Sequence, residues 1–285
     1  MQLFVDQTLD GWLDFTRPFL PESLVGATKL EFLSPVERLT LNHVRSRAHL
    51  HLLRVVKEGV LVPVLERART GVAGDGFRRT ALERLAREEA RQIALLELLR
   101  HEFERGFGSP CSVIGPPEAL AQAVLAHHPL GVALALHHAG WLEERHYGDG
   151  VRDPRGLDPR FRALLRHAWR GDALHDRGDA LVVAALAEAG TPLESARGID
   201  DYVRICALVA SGLDQQVRFD LESLTRAIGR ELSGPQRDRF VATQRRANGW
   251  TWLGGGMSHP GFLSTPGRLG PAARERVERV IPGYC

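Results

Sequence analysis

From Ser34 onward, apolar residues recur at alternating spacings of three and four, and β-branched runs that alternate apolar with polar residues are missing. That period lays one apolar stripe along a helix, whereas a half-buried strand needs a period of two. The stripes open on strong start signals. Ser34-Pro35-Val36-Glu37 sets Ser at the N-cap, Pro at the first helical position and Glu at the third, so side chains satisfy amide groups the helix leaves open. Thr191-Pro192-Leu193-Glu194 repeats the pattern. An all-α fold follows.

The first long helix is predicted from Ser34 to about Arg69, ahead of the Gly-rich turn from Gly71 to Gly76, and the second over roughly Phe77 to Arg105. A third begins after Pro116-Pro117, kinks near Pro129 and ends near Tyr147. The fourth runs from Asp158-Pro159 to Gly190, the fifth from Thr191 towards Leu232, and the sixth from about Pro235 to Trp252. Residues 254–285 are rich in Gly and Pro and are expected to form an irregular arm with a short helix near Ala272 to Val280. Two long hairpins followed by more helices predict a four-helix bundle over 34–190. An N-terminal arm over 1–33 precedes it, and additional helices and the irregular tail over 191–285 pack outside it, all within a single domain.

Composition removes several classes of function. The 285 residues carry 37 basic and 35 acidic groups, a net charge of +2, with no concentrated surplus for phosphate backbones. No nucleic acid is expected. Only Lys29 and Lys57 are lysines; every other basic residue is arginine, a compositional bias rather than a recognition surface. The cysteines Cys111, Cys206 and Cys285 are scattered and form no CxxC pair, so neither a zinc knuckle nor a disulfide framework is suggested. Met1 to Pro18 lacks the basic start and apolar run of a signal peptide, and no 18 uncharged apolar residues run together. A cytoplasmic location without a membrane is expected.

The stripes themselves carry the chemistry. In the first helix the stripe reads Leu41, Val44, Ala48, His51, Val55, Glu58, Val62, Leu65; in the second, Leu82, Leu85, Glu89, Gln92, Leu96, Leu99, Phe103. The third gives Val132, Leu136, Ala139, Glu143, His146, and the fourth Phe161, Leu165, Ala168, Asp172, His175, Asp179, Val182, Leu186. Four successive helices therefore aim Glu58, Glu89, Glu143 and Asp172 at the interior. Ionised carboxylates are buried only when paired or when they hold metal. Two divalent ions, iron or manganese, would neutralise such a cluster, and a bundle holds them with one Glu from each of two helices and Glu-x-x-His from each of the others. Asp172-x-x-His175 and Glu143-x-x-His146 have that spacing, which sets both groups on one face; Glu89-x-x-Gln92 has Gln where imidazole is expected.

At these residues the chain resembles the ferritin-like diiron carboxylate proteins, and within them a bacterial group related to aminobenzoate N-oxygenases. The resemblance runs through LSPVERLTLNHVRSRAHLHL, REEARQIALLELL, ERHY, LDPRFRALLRHAWRGDALHDRGDAL and GMSHPGF. It implies Glu58 and Glu89 as ligands from the first two helices and Asp172 with His175 from the fourth. Glu143 fits the third stripe, with Glu144 and Gly140 competing for the family position. His146 is a candidate to replace the imidazole absent at Gln92. The departures are Gln92 for His, Asp172 for Glu, and Ala168 where a His often stands, so two, one or no metal ions are all consistent with the set. The resemblance implies an oxygenase that uses two irons and dioxygen on a small organic substrate, by N-oxygenation, hydroxylation or desaturation. It also implies a homodimer, with the fifth and sixth helices as interface.

Plainer readings stand beside these. Glu58 pairs with Arg54 or Arg91; Gln92 is a core hydrogen-bonding residue; His51 and the doublets His127-His128 and His137-His138 are structural. On the side of the metal reading, Asp179, one turn beyond His175, is a candidate acceptor for its imidazole. A metal-free bundle that binds a small molecule or protein partner is the alternative function. Its buried acids would then need arginine or protons as counterions. A third option is a cofactor-independent enzyme with Glu89 or Asp172 as general base.

Overall fold

The computed structural model describes residues 12–71, 76–148 and 156–284, without the side chains of residues 70–71, 77–78, 81, 168–179 and 181. Among the described residues all regular structure is helical. After a short turn of helix α1 (Glu22–Val25) come α2 (Pro35–Arg54), a π-helical stretch Val55–Leu61, α3 (Val62–Gly71), α4 (Gly76–Gly106), α5 (Pro117–Leu125) and α6 (Pro129–His146). The long helices α7 (Pro159–Ala189) and α8 (Pro192–Ile228) follow, then α9 (Gly234–Gly249), a second π stretch Trp250–Gly254, and α10 (Gly255–Met257), α11 (Pro260–Arg268) and α12 (Pro271–Glu278).

The starts are where the caps put them. Ser34 accepts from the Glu37 amide and Glu37 answers to the Ser34 amide, and Thr191 and Glu194 form the same reciprocal pair. Asp158 caps α7 through the amides of Arg160 and Phe161. The expected kink near Pro129 is a full break: α5 ends at Leu125 and His128 caps α6. The tail differs from the expected irregular arm. Residues 255–278 are mostly helical, and Gly256 lies so close to α6 that a Cβ there would come within 2.3 Å of the His138 ring.

Helices α2, α4, α7, α6 and α8 pack in that order, and α8 returns to α2. One face of the core is sealed by the N-terminal arm, where Phe19 and Phe161 stack at 5.0 Å between centroids and Asn42 of α2 bonds the backbone of Phe19 and Leu20. On α7 the predicted stripe holds at Phe161 and Leu165 but slips by its end: Val182 and Leu186 are exposed, and Val183 is fully buried. Among the described residues no helix is long and apolar enough to cross a membrane.

Candidate functional site

The first helix keeps its stripe from Leu41 through Val55 and then changes register. In the π stretch Val55–Leu61 each turn takes up more residues than in an α-helix, so the face that turns inward advances. Lys57 is buried there, 3 % exposed, with Val55 and Val60. Gly59 makes room for α5, since a Cβ on it would meet the Ala121 Cβ at 2.6 Å. Glu58, expected on the inward stripe, is instead exposed and pairs with Arg54 one turn before it. Its expected place among the inward acids is corrected by that register change, and its plainer reading as a partner of Arg54 is the one observed.

Glu89 and Gln92 of α4 are buried as expected, and so are His146 and most of Glu143 on α6. The Lys57 Nζ lies 3.5 Å from Glu89 Oε2 and 3.8 Å from Glu143 Oε1, joining α4 and α6 through one ammonium. All three residues make further polar contacts as well. Asp172 and His175 belong to α7, which packs on both α4 and α6, but their side chains, with those of Ala168 and Asp179, lie outside the described residues.

Beside the acids is a cavity of about 160 Å³. Its walls are Val, Leu and Ile side chains from the π stretch, α5, α6 and α8, with Ile114 of the connection before α5. His49, His138, Glu143 and His146 are the histidine and carboxylate side chains in its lining. His49 of α2 packs on Trp252 at 5.0 Å and faces His146 at 6.3 Å between ring centroids. Burial lowers the His146 pKa to about 4 against the opposing effect of a hydrogen bond to the Thr251 backbone. Burial likewise holds His49 well below the usual histidine range, assisted by His146 and Arg45. Both rings are neutral at pH 7. With the His146 ring proton given to Thr251, Nε2 is left as a lone-pair acceptor, and it has no partner among the described residues.

The His137-His138 doublet is buried and bonded. His137 Nε2 meets Thr265 Oγ1 at 2.9 Å, and His138 bonds the Leu253 carbonyl through Nε2 at 2.9 Å and Tyr202 through Nδ1 at 3.2 Å. His51 is likewise tied down, to the Ile114 carbonyl. Lys57 and His49 went unnoticed in the sequence because neither falls on the three-four stripe. The one available signal was that Lys57 is a lysine in a chain whose other basic residues, Lys29 apart, are arginines.

The described donors do not fit a two-metal centre. Glu58 is outside, Gln92 offers only a neutral oxygen, and the ammonium of Lys57 lies against both described carboxylates. A divalent ion about 4 Å from an ammonium is repelled by about 8 kcal/mol at an effective dielectric near 20. Among the described residues no group of three or more His, Cys, Asp or Glu side chains is placed to hold a metal ion. Comparison with protein-family models, curated proteins and solved structures gives no match.

Proposed function

We propose that this chain is a metal-free relative of the ferritin-like four-helix proteins that binds a small organic molecule in its core. The observation that carries the reading is the 160 Å³ cavity, mostly apolar in its lining, with His49, His138, Glu143 and neutral His146 as its polar members and His146 Nε2 unpartnered among the described residues. A cavity near 150 Å³ with apolar walls stays dry and takes up a molecule the size of benzene. Leaving such a space empty costs about 24 cal/mol per Å³, so filling it returns up to about 4 kcal/mol, a Kd on the order of 1 mM for an apolar occupant. A hydroxyl donating to His146 Nε2 adds about 1 kcal/mol, roughly fivefold in affinity.

Toluene and phenol test this directly by thermal unfolding and by chemical-shift titration of the folded chain. At about 5 mM, toluene is expected to raise Tm by about 2 °C, with phenol binding more tightly. His146→Phe should abolish the advantage of phenol. Neither compound shifting Tm or any resonance at that concentration would refute the reading.

A second reading, the diiron oxygenase, is favoured by one observation: α7, which carries Asp172-x-x-His175, packs on the two helices that carry Glu89 and Glu143. It requires about two irons per chain after anaerobic ferrous loading, with an absorption band on exposure to air. That result would displace the metal-free reading and bring dioxygen and an oxidisable substrate with it.

A further inference from the structure

We infer that Lys57 is the residue that closes this core to divalent cations, its ammonium standing between Glu89 and Glu143 as a built-in counterion. The inference does not depend on which molecule the neighbouring cavity takes up. Lys57 is 3 % exposed and Glu89 fully buried, so this is an interior ion pair and not a surface contact. The distances of 3.5 Å to Glu89 and 3.8 Å to Glu143 place one charge between carboxylates from two helices, the geometric office of a metal ion.

The residue type fits that office. An ammonium is a compact point charge with three donors that rotate, whereas a guanidinium is a larger planar fork of fixed geometry. Of the two lysines in the chain one is the exposed Lys29, and the other is this one. The backbone supports it too: without the π stretch the three-four stripe would turn Glu58 inward and add a third acid in place of a cation. Exchanging the charge at position 57 would therefore leave two native carboxylates and an introduced one around one space.

The test is metal content. Wild type, Lys57→Met and Lys57→Glu are each incubated with Mn²⁺, desalted and assayed for metal, and titrated with Mn²⁺ calorimetrically. Wild type is expected to retain none above a buffer control. Lys57→Glu should retain about one ion per chain, a gain of at least about tenfold, and its Tm should rise with added Mn²⁺. Adding Glu89→Gln to Lys57→Glu should remove that gain. If Lys57→Glu does not fold in metal-free buffer, refolding with and without Mn²⁺ decides the matter: folding only with metal supports the inference, and failure in both overturns it. Stoichiometric metal on the wild type, or a folded Lys57→Glu that retains no more than wild type, also overturns it.

Discussion

Replacing Arg45 by methionine should destabilise the fold strongly at pH 7 and much less at pH 5. Arg45 of α2 reaches Asp220 of α8 at 3.2 Å, with the two side chains 4 % and 0 % exposed. Desolvation raises the Asp220 pKa above 3.8, and Arg45 and Gln216 oppose that shift. Methionine keeps most of the packing volume, removes the charge and leaves Asp220 with the Gln216 bond at 2.8 Å. Breaking a buried pair from one side costs about 3–5 kcal/mol. Asp220 has one escape, to take up a proton. At pH 7 protonating a carboxyl whose unfolded pKa is 3.8 costs about 4.4 kcal/mol, and at pH 5 about 1.6 kcal/mol, so the electrostatic loss is capped near those values. The sign follows from the raised pKa: the folded state holds more protons than the unfolded one, so the penalty is full above the folded pKa and fades as pH falls towards 3.8.

Urea unfolding of wild type and Arg45→Met at the two pH values measures this, and at pH 7 the Tm should fall by roughly 10 °C. The double variant Arg45→Met/Asp220→Leu should recover most of the loss, because no charge is then left buried. A loss below about 1 kcal/mol at pH 7, or an equal loss at both pH values, would refute the argument. The network reaches the cavity as well. Gln216 accepts from the Ile114 amide at 2.9 Å and donates to the Ser112 carbonyl at 3.2 Å, and Ile114 is part of the cavity wall. Arg45→Met should therefore weaken toluene binding along with stability.

Two further outcomes are expected. Glu37, through its hydrogen bond with Arg230, and Glu97, through that with Arg100, both titrate near 2, below the unfolded 4.5. The stability they lend is present above pH 4.5 and lost as pH falls towards 2, and Arg230→Ala should flatten the Glu37 part of that acid slope in a denaturation series. Cys206 is buried and its thiol is pushed up to about 12 by desolvation, so iodoacetamide at pH 8 should label it only in unfolded chains. Labelling of Cys206 in the native protein at the denatured rate, read by peptide mass spectrometry, would contradict its placement.

Local signals in the sequence were dependable where one residue satisfies its own neighbourhood. Ser34, Thr191 and Asp158 cap the helices they were expected to start, because a cap is settled within four residues. Ser233 with Gln236 closes a third such box, one residue or two ahead of the predicted start near Pro235. The second stripe holds over most of its length: Glu89, Gln92, Leu96, Leu99 and Phe103 are all buried along α4, with Leu82 and Leu85 at its start half-buried. Less legible were features that depend on distant partners. The helical tail is held by close approach of Gly256 to His138, and α8 contributes to the cavity wall through residues such as Ile205 and Val209. Periodicity within one helix carries no information about which other helix will lie against it.

The exposure of Glu58 and the burial of Lys57 have one cause. A stripe traced at threes and fours assumes an uninterrupted α-helix, and the π stretch Val55–Leu61 breaks that assumption at the point where charge matters most. On an ordinary helix Glu58 faces the acids of α4 and α6, and the core needs outside cations. With the register advanced, Glu58 pairs with Arg54 at the surface and Lys57 reaches Glu89 and Glu143. A change of one position in a single turn thus exchanges an anion for a cation in the interior. For the described acids Glu89 and Glu143, a cation is supplied from the same helix that was expected to add another acid. Straightening the π turn by deleting one residue within Val55–Leu61 should reverse that exchange, which a rise in Mn²⁺ retention of the folded variant would detect.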